Sequence, residues 1–293
     1  MNWDDIRIFL AVARSGQILA AAKRLGLNHA TVARRLTALE STLSAKLFDR
    51  STSGCHLTEQ GQRFLARAER IEEETLAAQA DVADQTVGVS GTVRIGAPDG
   101  FGVAFLAPRL GQLADRHPDL TVQLVPVPRS FSLSRREADI AVAVDRPEHG
   151  RLLSRKLVDY SLGLYASKTY LDRHTPPASV KDLQAHTLIG AVEDLIFTPS
   201  LNYAADFVRE WPARFEIASA LGQTEAVRAG AGIGILHAFI ARADPALVRV
   251  LPDIQVDRSY WTVVHESARQ LRPVATALDF LAALIVKERH VFR

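Results

Sequence analysis

The run Ala20-Ala21-Ala22-Lys23-Arg24-Leu25-Gly26-Leu27-Asn28-His29-Ala30-Thr31-Val32-Ala33-Arg34-Arg35-Leu36 sets two short helices on either side of a three-residue turn. Ile18 to Leu25 are good helix formers, and Gly26 suits the left-handed position that closes a helix. Asn28 is a strong N-cap, from which the next helix is predicted to run through Glu40. Val32, Leu36 and Leu39 recur at i, i+4 and i+7 on its buried side, leaving His29, Ala30, Ala33, Arg34 and Thr37 on the opposite face. Upstream, Trp3, Ile6, Leu10 and Ala13, with Phe9 and Val12 beside them, give a helix with one apolar face that stops at Ser15-Gly16. Two short helices around a glycine-containing turn form a helix-turn-helix, in which the N-terminal residues of the second helix meet base edges in the major groove. Other helical hairpins share this spacing.

Downstream, Leu47-Phe48-Asp49-Arg50 leads into the polar turn Ser51-Thr52-Ser53-Gly54 and then Cys55-His56-Leu57, a wing of two short extended pieces. Thr58 then caps a long helix. Gly61, Phe64, Ala68, Ile71, Thr75, Ala78, Val82 and Gln85 alternate gaps of three and four, a heptad seam suited to supercoiling. The seam is read as a dimer interface because the outer face is heavily charged; packing on the chain's own core is the alternative. Val87-Gly88-Val89-Ser90-Gly91 reads as a hinge. The charge follows the same divisions. Residues 1–57 carry eight basic against four acidic side chains, a surplus of +4, and residues 58–90 carry three against seven, giving −4. The +2 of the whole chain therefore hides a basic head, as expected for a nucleic-acid partner.

The remaining two hundred residues alternate strands and helices. Thr92–Ala97, Leu120–Val127 and Asp139–Val144 read as strands, with a helix from Phe101 to Arg116 between the first two. The alternation resumes with Leu162–Ala166, Leu188–Gly190, a helix over Ala204–Glu210, Ile233–Leu236 and a last helix from Val274 to Arg289. Such alternation predicts an α/β fold with a parallel sheet and helical crossovers. Ligands of such sheets sit beyond the carboxyl ends of the strands, which selects Asp99, Gly100 and Phe101, then Ser130 and Phe131, then Asp145.

The quoted run, with Leu39-Glu40, Leu47-Phe48-Asp49-Arg50 and Leu57-Thr58-Glu59-Gln60-Gly61, resembles the winged helix-turn-helix of LysR-type transcriptional regulators, and the length and linker helix fit that family along the whole chain. The resemblance implies a winged helix-turn-helix domain at 1–57, a dimerisation helix at 58–87, a hinge at 88–91 and an effector-binding domain at 92–293. That domain resembles periplasmic binding proteins, with lobe one at 92–162 and 267–293 and lobe two at 163–266. It implies DNA contacts from Arg34, Arg50 and the wing position Ser53, and effector contacts in lobe two from Phe197, Thr198, Gln223 and Thr224. Its implied partners are double-stranded DNA, a small-molecule effector, further copies of the chain as dimer or tetramer, and RNA polymerase. Asn28-His29-Ala30 stands where the family commonly has Ser-Gln-Pro, Ala33 where it has serine, and Ser53 where it often has arginine. Asp99-Gly100 replaces the Ser or Thr that often binds an anionic effector. With Asp145 nearby, this predicts a neutral or cationic effector, because carboxylates repel an acid; Asp99 as a simple helix N-cap is the alternative.

Other function classes fare less well. At 293 residues, 47% hydrophobic and 23% charged, the chain has the composition of a globular protein of about two units. No apolar run approaches the ~18 residues of a membrane span. One cysteine, Cys55, cannot form an internal disulfide, and with no basic-apolar leader the expected compartment is the cytosol. Gly230-Ala231-Gly232-Ile233-Gly234 precedes a strand rather than following one, so it is not a dinucleotide loop. The histidines lack zinc-ligand spacing, Cys55 is read as an inert thiol, and no nucleophile elbow or P-loop occurs. No cofactor, metal or catalytic residue is expected. Two alternatives remain: an α/β ligand-binding module or enzyme whose N-terminal helices only dimerise, and an architectural DNA-binding protein that responds to no ligand.

Overall fold

The structure is a computed structural model that describes residues 1–51, 54–82, 88–127, 137–147, 151–196, 198–208 and 211–292. Within 59–82 the side chains of 73, 76, 77 and 79–82 are likewise outside the description. The chain divides into two compact units between Val87 and Gly88.

In the first unit, α1 (Trp3–Ser15), α2 (Ile18–Leu25) and α3 (His29–Thr42) precede a hairpin of β1 (Phe48–Ser51) and β2 (Gly54–Leu57), followed by α4 (Glu59–Val82). The signals that set these helices are local. Asn2 and Asp5 cap the start of α1 reciprocally, and the Asn28 side chain accepts from the Ala30 N–H at 2.9 Å at the start of α3. Gly26 ends α2 at φ +65°, a conformation that penalises any side chain with a Cβ. Val32, Leu36 and Leu39 are buried as their spacing predicted, against Phe9, Leu10 and Ala21. Phe9 joins three elements, its ring 5.2 Å from Phe48 of β1 and 4.8 Å from Phe64 of α4.

That last contact corrects the expected dimer seam at its N-terminal end. Ala68 is fully buried by its own chain and Phe64 packs edge-on against Phe9, so both complete the head's core. Gly61 belongs there too, because a Cβ would lie 2.0 Å from the Leu47 carbonyl oxygen. Arg14 of α1 then forms a bidentate, largely buried ion pair with Glu72 of α4, at 3.1 and 2.6 Å. Next to it Ile71 is exposed, and further along α4 Thr75 is half-buried and Ala78 exposed.

The second unit is built on one sheet. Its strands are β3 (Gly91–Ala97), β4 (Leu120–Pro126), β5 (Ile140–Ala143), β6 (Leu152–Ser167), β7 (Leu188–Gly190), β8 (Phe215–Glu216), β9 (Ile233–His237) and β10 (Leu247–His265), in the order β4-β3-β5-β10-β6-β9-β7-β8. The outer pairs β3/β4, β3/β5, β7/β9 and β7/β8 are parallel, as the alternation predicted. The centre is not. β6 and β10 pair antiparallel along nearly their whole lengths, and each also pairs antiparallel with its outer neighbour, β9 and β5. The lobe border anticipated at 266 falls after β10, whereas Trp261–Val264 already pair with β5.

The predicted helix at 101–116 is three pieces: α5 (Asp99–Phe101), one π-helical turn (Gly102–Leu106) and α6 (Ala107–Arg116). Further along come α7 (Lys168–Leu171), α8 (Ala204–Phe207), α9 (Ala220–Arg228), α10 (Ala238–Ala241) and α11 (Arg272–Glu288). The main apolar core runs from Val93 and Ile95 through Leu162 and Leu164 to Leu281 and Leu284, with smaller clusters around Ile189 and Val227 and around Ala141 and Val263.

Replacing a helical glycine by alanine ordinarily stabilises by about 1 kcal/mol. At Gly61 the sign should reverse, because α4 cannot start beside Leu47 without a shift; Gly61→Ala is expected to lower the head's thermal unfolding midpoint, read by circular dichroism.

Candidate nucleic-acid interface and ligand cleft

On the exposed face of α3, His29, Ala30, Arg34 and Thr37 are open to solvent and Ala33 is half-buried. The consecutive arginines of this helix do different work. Arg35 turns inward, bonding Asp5 at 2.9 and 3.1 Å, Asn2 at 3.1 Å and Asp4 at 3.4 Å, and so fastens α3 to the start of α1. Arg34 points outward and has no ion pair or side-chain hydrogen bond among the described residues. Glu40, which the sequence reading left without a role, holds the wing: it accepts the backbone N–H groups of Leu47 at 2.8 Å and Phe48 at 3.2 Å, and the Arg50 guanidinium at 2.8 Å. Arg50 also reaches the Thr37 hydroxyl at 3.5 Å, so the wing arginine lies beside the exposed face of α3. Ser53 lies outside the described residues.

In the second unit, the carboxyl ends of β3, β5, β7 and β9 open onto a cavity of about 740 Å³. Asp99, Gly100, Asp145, Thr198 and Gln223, all anticipated, line it. Phe101 and Thr224 do not, and both are corrections. Phe101 is fully buried, its ring 4.5 Å from Tyr260 and 5.2 Å from Phe105, because α5 turns it into the core. Thr224 is buried and donates to the Ala220 carbonyl of its own helix at 2.9 Å. Ser130, Phe131 and Phe197 lie outside the described residues.

Asp99 does not cap its own helix. Its carboxylate crosses to α9, accepting the Ser219 hydroxyl at 2.6 Å and the Leu221 N–H at 3.3 Å. Ser219, the N-cap of α9, in turn accepts from the Gly222 N–H at 3.1 Å. Asp145 accepts the Thr198 hydroxyl, and Gln223 is anchored through its amide N–H to the Ile217 carbonyl at 2.8 Å.

Four lining aromatics were missed in the sequence: Tyr203, Trp211, His237 and Tyr260. His237 ends β9, so the strand-end rule that chose Asp99 would have found it. Its ring stacks on Tyr160 at 5.3 Å, and Tyr160 stacks on Tyr260 at 4.1 Å. Burial pushes the His237 pKa down to about 4, with the Asp99 charge opposing that shift, so the imidazole is neutral at pH 7. Burial also raises the phenols of Tyr160, Tyr203 and Tyr260 well above their ordinary value. Among the described residues no cluster of metal-ligating side chains occurs and no helix is long and apolar enough to cross a membrane.

A helix-turn-helix head joined to a two-lobed α/β unit with a cleft at its strand ends defines a ligand-responsive DNA-binding protein. Residues 3–62 match the bacterial regulatory helix-turn-helix protein, lysR family, and residues 87–285 match the LysR substrate binding domain. An HTH-type transcriptional regulator of Xanthomonas campestris pv. campestris is 31% identical over 214 residues, 71% of this chain and 62% of that one. The transcriptional regulator CrgA of Neisseria meningitidis is 28% identical over 256 residues, covering 86% of this chain and 84% of its own. A solved structure of CrgA from that species superposes with a TM-score of 0.61 at 25% identity, covering 97% of this chain and 98% of the other. The chain belongs to the LysR family of transcriptional regulators: it has that family's DNA-binding helix-turn-helix and its effector-binding domain. These relatives are regulators, not enzymes.

The His237 pKa gives a pH prediction. Because it is depressed below the unfolded value near 6.5, the unfolded chain takes up a proton that the fold refuses, and stability falls as pH drops from about 6.5 towards 4. His237→Phe is expected to flatten that window by up to ~1.4 kcal/mol per pH unit relative to the parent chain, measured by urea unfolding at pH 4.5, 5.5 and 7.

Proposed function

We propose that α3 enters the major groove of operator DNA with His29, Ala30, Ala33, Arg34 and Thr37 facing the bases and backbone, while Arg50, with Ser53 in the same hairpin, follows the flanking phosphates. The observation that carries this reading is the division of labour within Arg34-Arg35. The inner arginine is spent on Asp5 and Asn2, and the outer one is held on an exposed helix face with no ion pair or side-chain hydrogen bond among the described residues. An exposed guanidinium at that place suits a guanine edge or a phosphate.

Two heads are needed to read a two-fold-related site. The apolar positions of α4 left open by the head's own core, Ile71 and Ala78, with Thr75 and Val82 on the same heptad seam, supply the pairing surface; Ile71 is 39% exposed, which is unusual for an isoleucine with no partner. The effector lies in the cleft against Asp99, Gly100, Asp145, Thr198 and Gln223, and the energy that reaches the head is its preference for one arrangement of the lobes over another. The expected compartment is the cytosol, where the DNA and a single reduced thiol coexist.

Operator binding as a function of salt tests the DNA reading. Arg34→Ala is expected to weaken binding about tenfold or more and, if the partner is a phosphate, to lower the slope of log K against log salt by about 1. Arg35→Ala is expected to lower the unfolding midpoint instead. Unchanged affinity and slope for Arg34→Ala would overturn the placement. On the pairing surface, Ile71→Glu is expected to shift the full chain towards monomer in analytical ultracentrifugation.

A further inference from the structure

The charges around the cleft are one-sided. Asp99 and Asp145 sit inside it, Glu193 and Glu216 stand exposed at its edge, and among the described residues no lysine or arginine lines it. His237 is the remaining basic side chain and is neutral in the folded chain. Neither Asp99 nor Asp145 forms an ion pair among the described residues.

An anion would ordinarily seek a helix N-terminus in such a cleft, where N–H groups and the helix dipole converge. The N-terminus of α9 faces this cavity, but Asp99 already occupies it through Ser219 and the Leu221 N–H. An acidic effector would therefore find the N-terminus of α9 filled by the protein's own carboxylate, with further carboxylates around it. Asp145 differs from Asp99. Among the described residues a single hydroxyl, that of Thr198, bonds it, and no helix-end N–H does.

Part of the lining is aromatic. Tyr203, Trp211 and Tyr260 line the cavity with Tyr160 stacked behind Tyr260. Tyr260 is fully buried, and its hydroxyl has no hydrogen-bond partner among the described residues. A buried phenol of this kind can serve a guest as acceptor or as donor, so it adds a polar anchor without choosing the sign of the charge. Electron-rich ring faces and carboxylates without ion pairs among the described residues favour the same kind of guest, a cation with an apolar body.

We infer that the effector is an organic cation, an ammonium or guanidinium compound whose charge is held by Asp145 and whose body lies against Tyr203, Trp211 and Tyr260. The inference rests on the cleft being the effector site. Its size of about 740 Å³ admits a molecule well beyond a single inorganic ion.

The test uses the full chain and matched sets of probes built on benzyl, phenethyl and n-butyl frames, each as the ammonium, the alcohol and the carboxylate. Thermal shift at 10 mM ranks them, and calorimetry measures the best. The ammonium member of at least one frame is expected to raise the unfolding midpoint while its carboxylate does not. Asp145→Asn is expected to weaken that binding about tenfold or more, and Tyr203→Leu to weaken it where Tyr203→Phe does not; each variant's midpoint without ligand reports whether it folds. A carboxylate or alcohol that binds as well as the ammonium overturns the inference, as does a panel with no binder. Ala191→Trp, which fills the cavity, separates the two readings. If it abolishes binding of a carboxylate or alcohol, the cleft reading stands and the cation class falls; if ammonium binding survives it, the cleft reading falls as well.

Discussion

The antiparallel ladder between β6 and β10 is the constraint on which the second unit depends. Two strands of 16 and 19 residues run side by side through the middle of the sheet, and parallel strands are added on either flank. Because the flanking β3, β5, β7 and β9 all end around one hollow, the ladder decides that the cavity exists and which residues meet there. It also brings residues over a hundred positions apart within hydrogen-bonding distance, as Asp99 and Ser219 are. Slippage by one residue would turn every side chain of the central pair to the opposite face. The ladder instead absorbs irregularity at two places, between Val250 and Gln255 and between Tyr260 and Trp261, the second beside the aromatic wall of the cleft.

The head depends on interactions of a different kind, short in sequence and mostly polar. Glu40 serves two backbone N–H groups and one guanidinium, and Arg35 serves three side chains at the start of α1. Around them Phe9 supplies the apolar centre shared by α1, β1 and α4. The exposed face of α3 is thereby held by ion pairs and hydrogen bonds to the start of α1 and to the wing. A helix held in this way presents Arg34 on a preformed backbone, and preorganisation of that kind lowers the ordering cost of any contact the side chain makes.

How much was legible in the sequence follows this same divide. Helices α1 to α3 could be read because caps, glycines and a 3.6-residue period act over a few positions, and Asn28, Gly26 and Leu36 behave as their types require. β10 could not. Its stretch Leu251-Pro252-Asp253 carries turn residues and reads as a break, and only the partner strand, with a register shift at that point, makes the segment continuous. The seam of α4 was legible as a face but not as to its partner, since periodicity says that Phe64 and Ala68 are buried and is silent on what buries them. In the cleft, strand ends yielded Asp99 and Asp145. The same rule would have reached His237, whereas Tyr203 immediately precedes α8, Trp211 lies between α8 and β8, and neither carries a local signal. Phe101 was misplaced because the rule gives position along the chain and not the direction in which α5 points its ring.

Asp99 also bears on how such a regulator can diverge. The residue fills the N-terminus of α9, so on the proposed reading the charge of the guest admitted to the cleft depends on a few lining carboxylates rather than on the shape of the fold. Lineages built on this scaffold could exchange one family of signals for another while the strands, the core and the recognition helix stay as they are. Specificity of this kind is stored in an occupant and not in a frame, and it can change faster than the frame does.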